Sequence, residues 1–188
     1  MDNVDRRIIK SQKAIQSAFL TMLIEDGFDE ISVKKITETA DVGRKTFYLH
    51  YIDKYDLLDT IVNQRLEELA EICEQKKDKG FIEGTIIWFH YFEQHKAFFS
   101  ALFASKSTVS FRDQLLGFIM DQLIKKIDKS DPEKDNEILL KFLSMATLGI
   151  VESYVLNQLK GSMELVATEV GELIMQTISL AGQKNSST

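Results

Sequence analysis

The sequence contains few residues that break helices and none of the features that form covalent cross-links. Its 188 residues include one cysteine, one proline and nine glycines. A single cysteine, Cys73, excludes an intrachain disulfide and indicates a reducing compartment. No segment reaches about 18 consecutive apolar residues, and the first residues lack the apolar core of a signal peptide. We therefore expect a cytoplasmic protein that does not span a membrane.

Apolar residues recur at three- and four-residue spacing along almost the whole chain, which predicts an all-α fold. The scarcity of proline and glycine leaves little room for the turns of a sheet. We predict about nine helices, near residues 5–26, 33–40, 44–50, 54–76, 81–94, 96–105, 109–129, 133–160 and 163–181.

The net charge of -6 excludes a general nucleic-acid coat, because the bulk charge repels DNA. Any DNA binding must come from a local patch. Residues 1–56 carry nine basic and ten acidic side chains, so most of the acidity lies in the remainder. In the first helix, Arg6, Arg7, Lys10 and Lys13 follow one another with no acidic residue between them.

The sequence offers no catalytic, cofactor or metal site. His90 and His95 are five residues apart and fall on different faces of a helix. Cys73 has no histidine nearby in sequence to activate it as a nucleophile. There is no glycine-rich phosphate loop, nucleophile elbow or paired-carboxylate motif. We expect a protein that is not an enzyme.

The most informative segment spans residues 32–58. Val33, Ile36 and Ala40 have helical spacing, the run is interrupted from Asp41, and Phe47 resumes it. Two short helices around a tight turn are a helix-turn-helix, here at about residues 32–51, and its second helix enters the DNA major groove. The polar or basic residues expected to face outward on that helix are Arg44, Lys45, Thr46, Tyr48 and His50.

This segment resembles the TetR-type bacterial transcriptional regulators. Their motif is matched at Val33, Ile36, Ala40, Val42, Thr46, Tyr48, His50, Lys54, Leu57 and Leu58, with Tyr51 in place of phenylalanine. The pattern from Phe92 to Phe99 is also similar to a subgroup of that family that includes a regulator of dihydroxyacetone metabolism. The resemblance implies a three-helix DNA-binding domain, residues 1–56, and a helical bundle, residues 57–188, for dimerisation and ligand sensing.

Three residues depart from the family motif. Asp41 replaces the turn glycine at a site that needs a left-handed backbone, which aspartate tolerates with some strain. Gly43 replaces the serine that caps the recognition helix, and glycine is an acceptable N-cap. Thr37 replaces a small alanine, and its hydroxyl is expected to bond back to the preceding turn.

The resemblance also assigns roles. Thr46, Tyr48 and Lys54 are expected to position the DNA backbone, with Lys34 as a further contact. Arg44 and Lys45 are expected to read bases. His50 either bonds a phosphate or fixes the turn into Tyr51, and we expect Phe47 to anchor the helix to the core.

The two C-terminal helices are apolar over wide faces. The members of these faces are Ile138, Leu139, Phe142, Leu143, Met145, Leu148, Val151, Val155 and Leu159, and Val166, Val170, Leu173, Ile174 and Ile178. On pattern alone they form either intrachain core or a second interface. The resemblance favours a homodimer through the last two helices, which would present two recognition helices to a near-palindromic operator.

The aromatic residues concentrate between positions 81 and 118, where they form either packed core or the wall of a ligand pocket. The pocket candidates are Trp88, Phe92, Met145 and Tyr154. The expected function is that of a repressor released from double-stranded operator DNA by a small-molecule effector. The alternative is a helical coactivator or adaptor controlled by a protein partner. The fourth helix, near 54–76, is expected to carry the signal because it borders both domains.

Overall fold

The computed structural model describes residues 3–75, 78–127 and 136–184, and all regular structure in these ranges is helical. This confirms the predicted all-α fold. The α-helices are α1 (Asn3–Glu25), α2 (Val33–Thr39), α3 (Arg44–His50), α4 (Lys54–Gln75), α5 (Phe81–Gln94), α6 (Lys96–Ala104), α7 (Val109–Ile127), α8 (Glu137–Val155) and α9 (Met163–Lys184), with a short 3-10 turn at Phe28–Glu30.

The first three helices and the start of α4 share one core. Phe19, Phe28, Ile36 and Phe47 are fully buried in it. The ring of Phe28 meets that of Phe19 edge to face, with centroids 6.3 Å apart. Because α2 and α3 are only seven residues each, they are too short to be stable alone, and burial against α1 supplies their stability.

The remaining helices form a bundle in which α5 packs along α9 and α7 along α8. Its centre is aromatic: Phe89, Phe92, Phe99 and Phe111 are buried. Phe92 and Phe99 pack edge to face at 4.7 Å between centroids. Most of the aromatic segment that the sequence singled out is therefore core.

The end of α8 differs from the prediction. The helix stops at Val155 rather than continuing to residue 160, because Asn157 adopts a left-handed backbone with φ 56°. The amide of Asn157 donates to the carbonyl of Tyr154, and that of Gln158 donates to the carbonyl of Ser153. This pair of bonds is a Schellman motif, in which asparagine takes the position that glycine more often fills. The predicted helical residues 76, 128–129 and 133–135 lie outside the described residues.

One helix of the described residues, α8, is long and apolar enough to cross a membrane by length and composition alone. Only 33% of its most apolar window is buried. Its inward face, which includes Leu143 and Val151, lies in the bundle, whereas Ile138 and Phe142 are exposed. The same two-sided pattern is present on α9, where Leu173 and Leu180 are exposed.

Gly171 allows α9 to approach α5 closely. A Cβ atom at this position would lie 2.6 Å from the Cα atom of Ile82 and 3.3 Å from the carbonyl oxygen of Phe81. Both are backbone atoms, so a side chain cannot be accommodated by rotamer changes alone. Gly149 in α8, by contrast, has no described atom within 4 Å of its Cβ position.

We expect Gly171→Ala to lower the free energy of unfolding by about 1–3 kcal/mol, because α5 and α9 must separate to admit the methyl group. Gly117→Ala is the matched control, since Gly117 is exposed in α7 with no neighbouring atom within 4 Å of its Cβ position. That change should stabilise by roughly 0.5–1 kcal/mol through helix propensity. Urea denaturation followed by circular dichroism measures both, and equal effects of the two changes would contradict the close approach.

Candidate nucleic-acid interface and internal cavity

The turn between α2 and α3 is closed by Asp41, whose backbone is left-handed with φ 50°. The amide of Asp41 donates to the carbonyl of Glu38, and the amide of Val42 donates to that of Thr37 at 3.0 Å. The turn is thus a Schellman motif with aspartate in place of the usual glycine. The expected left-handed aspartate is confirmed.

The other two departures from the motif also occupy their expected conformations. Gly43 is the extended N-cap of α3, and no side chain caps that end. The Thr37 hydroxyl donates to the carbonyls of Val33 and Lys34 at 3.0 and 2.9 Å. This back-bonding satisfies a hydroxyl that is buried where the two helices cross.

Phe47 determines which side chains of α3 face outward. Its ring is 0% exposed and points into the core shared with α1 and α2. At about 100° per residue, Lys45 and Leu49 then lie roughly 160° to either side of Phe47 and point most directly away from the protein. Leu49 is 75% exposed. Leu49 was not among the residues predicted to face outward, because only basic and hydrogen-bonding side chains were expected to contact DNA.

The other α3 candidates surround this outward face. Arg44 and Lys45 are exposed, and Thr46 is half-buried at the flank. Tyr48 is exposed, and its ring stands edge-on to Phe47 at 5.5 Å between centroids. Tyr48 thus contacts the Phe47 ring while most of the residue remains exposed.

His50 is attached to α1. Its Nε2 atom lies 2.9 Å from the Ser11 hydroxyl oxygen, and that hydroxyl donates its own hydrogen to the carbonyl of Ile8. With the hydroxyl hydrogen donated to Ile8, the Nε2–H tautomer of the imidazole is the donor in this pair. The bond joins the end of the recognition helix to α1.

Lys34 is exposed on α2 and reaches Glu38 at 3.9 Å, with both side chains largely in solvent. An exposed ion pair of this kind contributes little to stability. The Lys34 ammonium can therefore exchange Glu38 for another anionic partner. The neighbouring Lys35 instead donates to the carbonyl of Glu30 at 2.9 Å.

The Lys54 side chain is bound within the protein, and its expected role as a phosphate clamp stays a prediction. The ammonium of Lys54 donates to the carbonyls of Phe28 and Ile31 at 3.1 and 2.9 Å, and it lies 4.5 Å from the centroid of the Phe28 ring. The lysine thus ties the start of α4 to the connection between α1 and α2. A motif match cannot reveal this, because the acceptors lie more than twenty residues away in sequence.

The start of α4 is capped by Asp53. The Asp53 carboxylate accepts from the amides of Tyr55 and Asp56 at 2.8 and 2.9 Å. Asp56 in turn accepts from the amide of Ile52. These reciprocal bonds fix the chain between α3 and α4.

The first helix adds positive charge to the same domain. Arg6, Lys10 and Lys13 have the spacing of one helical stripe, and all three are exposed, as is Arg7. Because Ser11 of this helix holds His50, the basic stripe lies on the helix that supports the end of α3.

A cavity of about 350 Å³ lies in the bundle, beside the C-terminal end of α4. Five helices line it: α4, α5, α7, α8 and α9. The lining residues are Cys73, Glu74, Phe81, Gly84, Thr85, Ile87, Trp88, Ile119, Gln122, Leu123, Lys125, Lys126, Thr147 and Ile174.

Of the four pocket candidates, only Trp88 lines this cavity. Phe92 is fully buried in the aromatic core, so it is not available to a ligand. Tyr154 packs on Phe89 and donates to Glu93 at 2.6 Å. Burial together with the bond to Glu93 raises the pKa of Tyr154. Met145 is 56% exposed on the outer face of α8.

Cys73 and Trp88 form a polar pair in the cavity wall. The indole Nε1–H donates to the Cys73 sulfur at 2.9 Å. Burial raises the pKa of the Cys73 thiol, so it stays protonated at neutral pH and serves as a small wall residue rather than a nucleophile. No local sequence pattern indicates that Cys73 lines a cavity, because only the packing of α5 and α7 against the end of α4 places it there.

Two sets of contacts connect the first three helices and α4 with the rest of the bundle. Asp29 accepts from the Ser105 hydroxyl at 3.1 Å, and hydrogen bonds from Ser107 and Ser105 hold the pKa of Asp29 below its usual value. Gln114 of α7 donates to Asp59 of α4 at 3.1 Å. Since α6 also packs against α1, α4 is not the only helix between the two regions.

Among the described residues, no group of His, Cys, Asp and Glu side chains could hold a metal ion. Two candidate binding surfaces therefore remain. One is the exposed face of α3, which carries basic and apolar side chains, and the other is the largely apolar cavity of the bundle.

Comparison with known proteins agrees with this geometry. Residues 15–61 match the model of the bacterial regulatory proteins of the tetR family, and residues 79–176 match that of a transcriptional regulator C-terminal region of the same type. The chain belongs to the TetR family. This TetR-family protein is therefore a DNA-binding transcription regulator with an all-α fold.

Individual relatives agree with this assignment. The TetR-family chain is 22% identical over 185 residues to the dhaKLM operon transcriptional activator DhaS of Lactococcus lactis, covering 95% of each protein. It is 35% identical over 69 residues to the uncharacterized regulator YxbF of Bacillus subtilis, a match that spans 18% of that protein's length. A TetR regulator structure from Streptococcus agalactiae aligns with a TM-score of 0.72 at 22% identity, covering 90% of this chain and 96% of the other.

We expect Lys54→Met to lower the free energy of unfolding by about 1–3 kcal/mol, because it leaves two carbonyl oxygens without their donor. Arg44→Ala should leave stability within about 0.5 kcal/mol, since Arg44 is exposed, and should weaken DNA binding instead. Thermal denaturation and fluorescence anisotropy with labelled duplex DNA separate the two effects. If Lys54→Met had the melting temperature of the wild type but bound DNA less tightly at low salt, the result would support a contact between Lys54 and a DNA phosphate instead.

Proposed function

We propose that this protein is a homodimeric repressor, released from a near-palindromic operator in the cytoplasm by a small-molecule effector. Residues 1–56 act as the DNA-binding domain and residues 57–188 as the dimerisation and sensing domain. The observation that carries the proposal is the pairing of an exposed recognition helix, α3, with a cavity of about 350 Å³ at the far end of α4.

The proposed DNA binding is supported by exposed basic side chains on α3 and α1. Arg44 and Lys45 are exposed on α3, and the basic stripe of α1 runs along the same domain. Each phosphate that such a side chain neutralises releases a counterion, so affinity falls steeply with salt. Tyr48, Thr46 and Lys34 complete the proposed contacts to the DNA backbone.

The dimer part rests on an exposed apolar surface, which we call the α8–α9 face. It consists of Ile138, Phe142, Met145, Leu165, Leu173 and Leu180. On α8 these residues follow one another at four- and three-residue spacing, as in a helix–helix contact. A monomer would leave this surface in water, and a twofold partner covers it with the same residues.

We expect the wild type to sediment as a dimer at micromolar concentration, and Leu173→Glu to sediment as a monomer whose DNA affinity falls at least tenfold. A charge at the centre of the α8–α9 face has no partner there and must be desolvated. Val109→Glu is the matched control, because Val109 is exposed at the start of α7, outside that face. A monomeric wild type, or a dimeric Leu173→Glu with unchanged DNA affinity, would contradict the proposal.

The sensing part rests on what lines the cavity. Its walls are largely apolar, and the lining includes Lys125, Lys126 and one carboxylate residue, Glu74. The Lys126 ammonium also donates to the carbonyl of Lys79 at 3.1 Å. We propose an effector with an apolar body and an acidic group. A ligand at this site touches Cys73 near the end of α4, and α4 begins at Lys54, where it is tied to the DNA-binding domain. Release then requires that the ligand bind more tightly to the state with badly spaced recognition helices.

The probe 8-anilinonaphthalene-1-sulfonate has this chemistry, and Trp88, the only tryptophan, reports its arrival by energy transfer. We expect Ile119→Phe to abolish this signal while DNA binding persists, because the new ring occupies the cavity at a stability cost of about 1–3 kcal/mol. Gly117→Phe places the same ring on the exposed side of the same helix and should keep the signal. Equal energy transfer in the two variants would reject the cavity as a ligand site.

The alternative is an activator or coactivator controlled by a protein partner. The observation that favours it is that the relative DhaS is named a transcriptional activator. Deleting the gene separates the two: target transcripts rise if the protein represses and fall if it activates. An absence of any small-molecule binding in the cavity would move control to a protein contact.

A further inference from the structure

We propose that Leu49 reads a thymine, by packing its side chain against the C5-methyl group of that base in the major groove. The inference rests on the proposed DNA-binding function and adds a specificity-determining residue to it. An apolar contact with the thymine methyl is the one apolar means of base recognition that the major groove offers.

Leu49 lies on the side of α3 that faces away from the protein. Phe47 is fully buried, and Lys45 and Leu49 lie on the opposite side of the seven-residue helix. Arg44 is only about 60° from Phe47 by the same helical geometry. Leu49 and Lys45 are therefore the residues that a helix lying in the groove directs toward the base edges.

Leu49 is exposed to solvent, although its side chain is apolar. Its side chain is 75% exposed, against 59% for the neighbouring Tyr48. An exposed leucine gains free energy only when an apolar surface covers it. Lys45 is exposed on the same side of α3 as Leu49, and Arg44 is exposed at the start of that helix. Together with the exposed Arg7 and Lys10 on α1, these charges favour a polyanion as the covering partner over a lipid or an apolar protein surface.

The distance between Leu49 and Lys45 along α3 predicts where the thymine lies relative to the base that Lys45 contacts. Four residues along a helix advance about 6 Å, which is close to two base steps of about 3.4 Å. Lys45 suits the acceptor edge of guanine. We infer that each half-site contains a thymine about two base pairs from the base that Lys45 contacts.

The experiment removes one methyl group at a time. A tight-binding duplex is first selected from random DNA with the wild-type dimer, and each thymine of its half-sites is then replaced by uracil, symmetrically in both halves. Affinities of the wild type, Leu49→Ala and Ile24→Ala are measured by fluorescence anisotropy. Ile24 is the control, because it is an exposed aliphatic residue of the same domain that lies on α1 rather than α3.

At one thymine position we expect uracil to weaken wild-type binding about three- to fivefold per half-site, the loss of one buried methyl group. Leu49→Ala should bind the thymine and uracil duplexes equally, while Ile24→Ala behaves as the wild type. The inference is overturned if no thymine is sensitive, or if Leu49→Ala keeps the sensitivity. If the wild type selects no duplex at all, the proposed function fails and this inference falls with it.

Discussion

The burial of Phe47 is the constraint on which the DNA-binding surface depends. Its ring is 0% exposed in the core shared with α1 and α2, and a helix of seven residues has no other means of fixing its rotation. Once Phe47 faces inward, helical geometry makes Lys45 and Leu49 face outward and leaves Thr46 and His50 at one flank. The left-handed Asp41 before the helix and the His50–Ser11 bond at its end restrict the remaining freedom.

The connection between the first three helices and the bundle is distributed over two junctions rather than concentrated in one helix. Lys54 at the start of α4 is bound to carbonyls of the first domain, while Cys73 near the other end lies in the cavity wall. Independently, Asp29 is bound by Ser105 after α6. A displacement of α4 must therefore be accommodated at the Asp29–Ser105 contact, because both junctions bear on the connection between α1 and α2.

The bundle uses two kinds of helix contact with different requirements. Between α5 and α9 the backbones approach closely at Gly171, where a Cβ atom would meet the backbone of Ile82 at 2.6 Å. On the outer sides of α8 and α9, large residues such as Phe142 and Leu173 remain exposed. The first contact needs the absence of a side chain, and the second surface needs a partner that supplies apolar area. The same sequence feature, an apolar helix face, thus serves as core on one side and as the proposed interface on the other.

The sequence by itself determined the helices, the helix-turn-helix and the caps at Gly43 and Asp53, because these depend on residues no more than about four positions apart. It did not reveal that α8 ends at Val155, before a left-handed Asn157, since asparagine is less common than glycine at that position. Only the tertiary structure decided that Lys54 is bound within the protein and that Trp88 lines a cavity which Phe92, Met145 and Tyr154 do not reach. A cavity wall is assembled from five helices, and a lysine finds acceptors across the fold. Such contacts join residues far apart in the chain, and no local pattern records them.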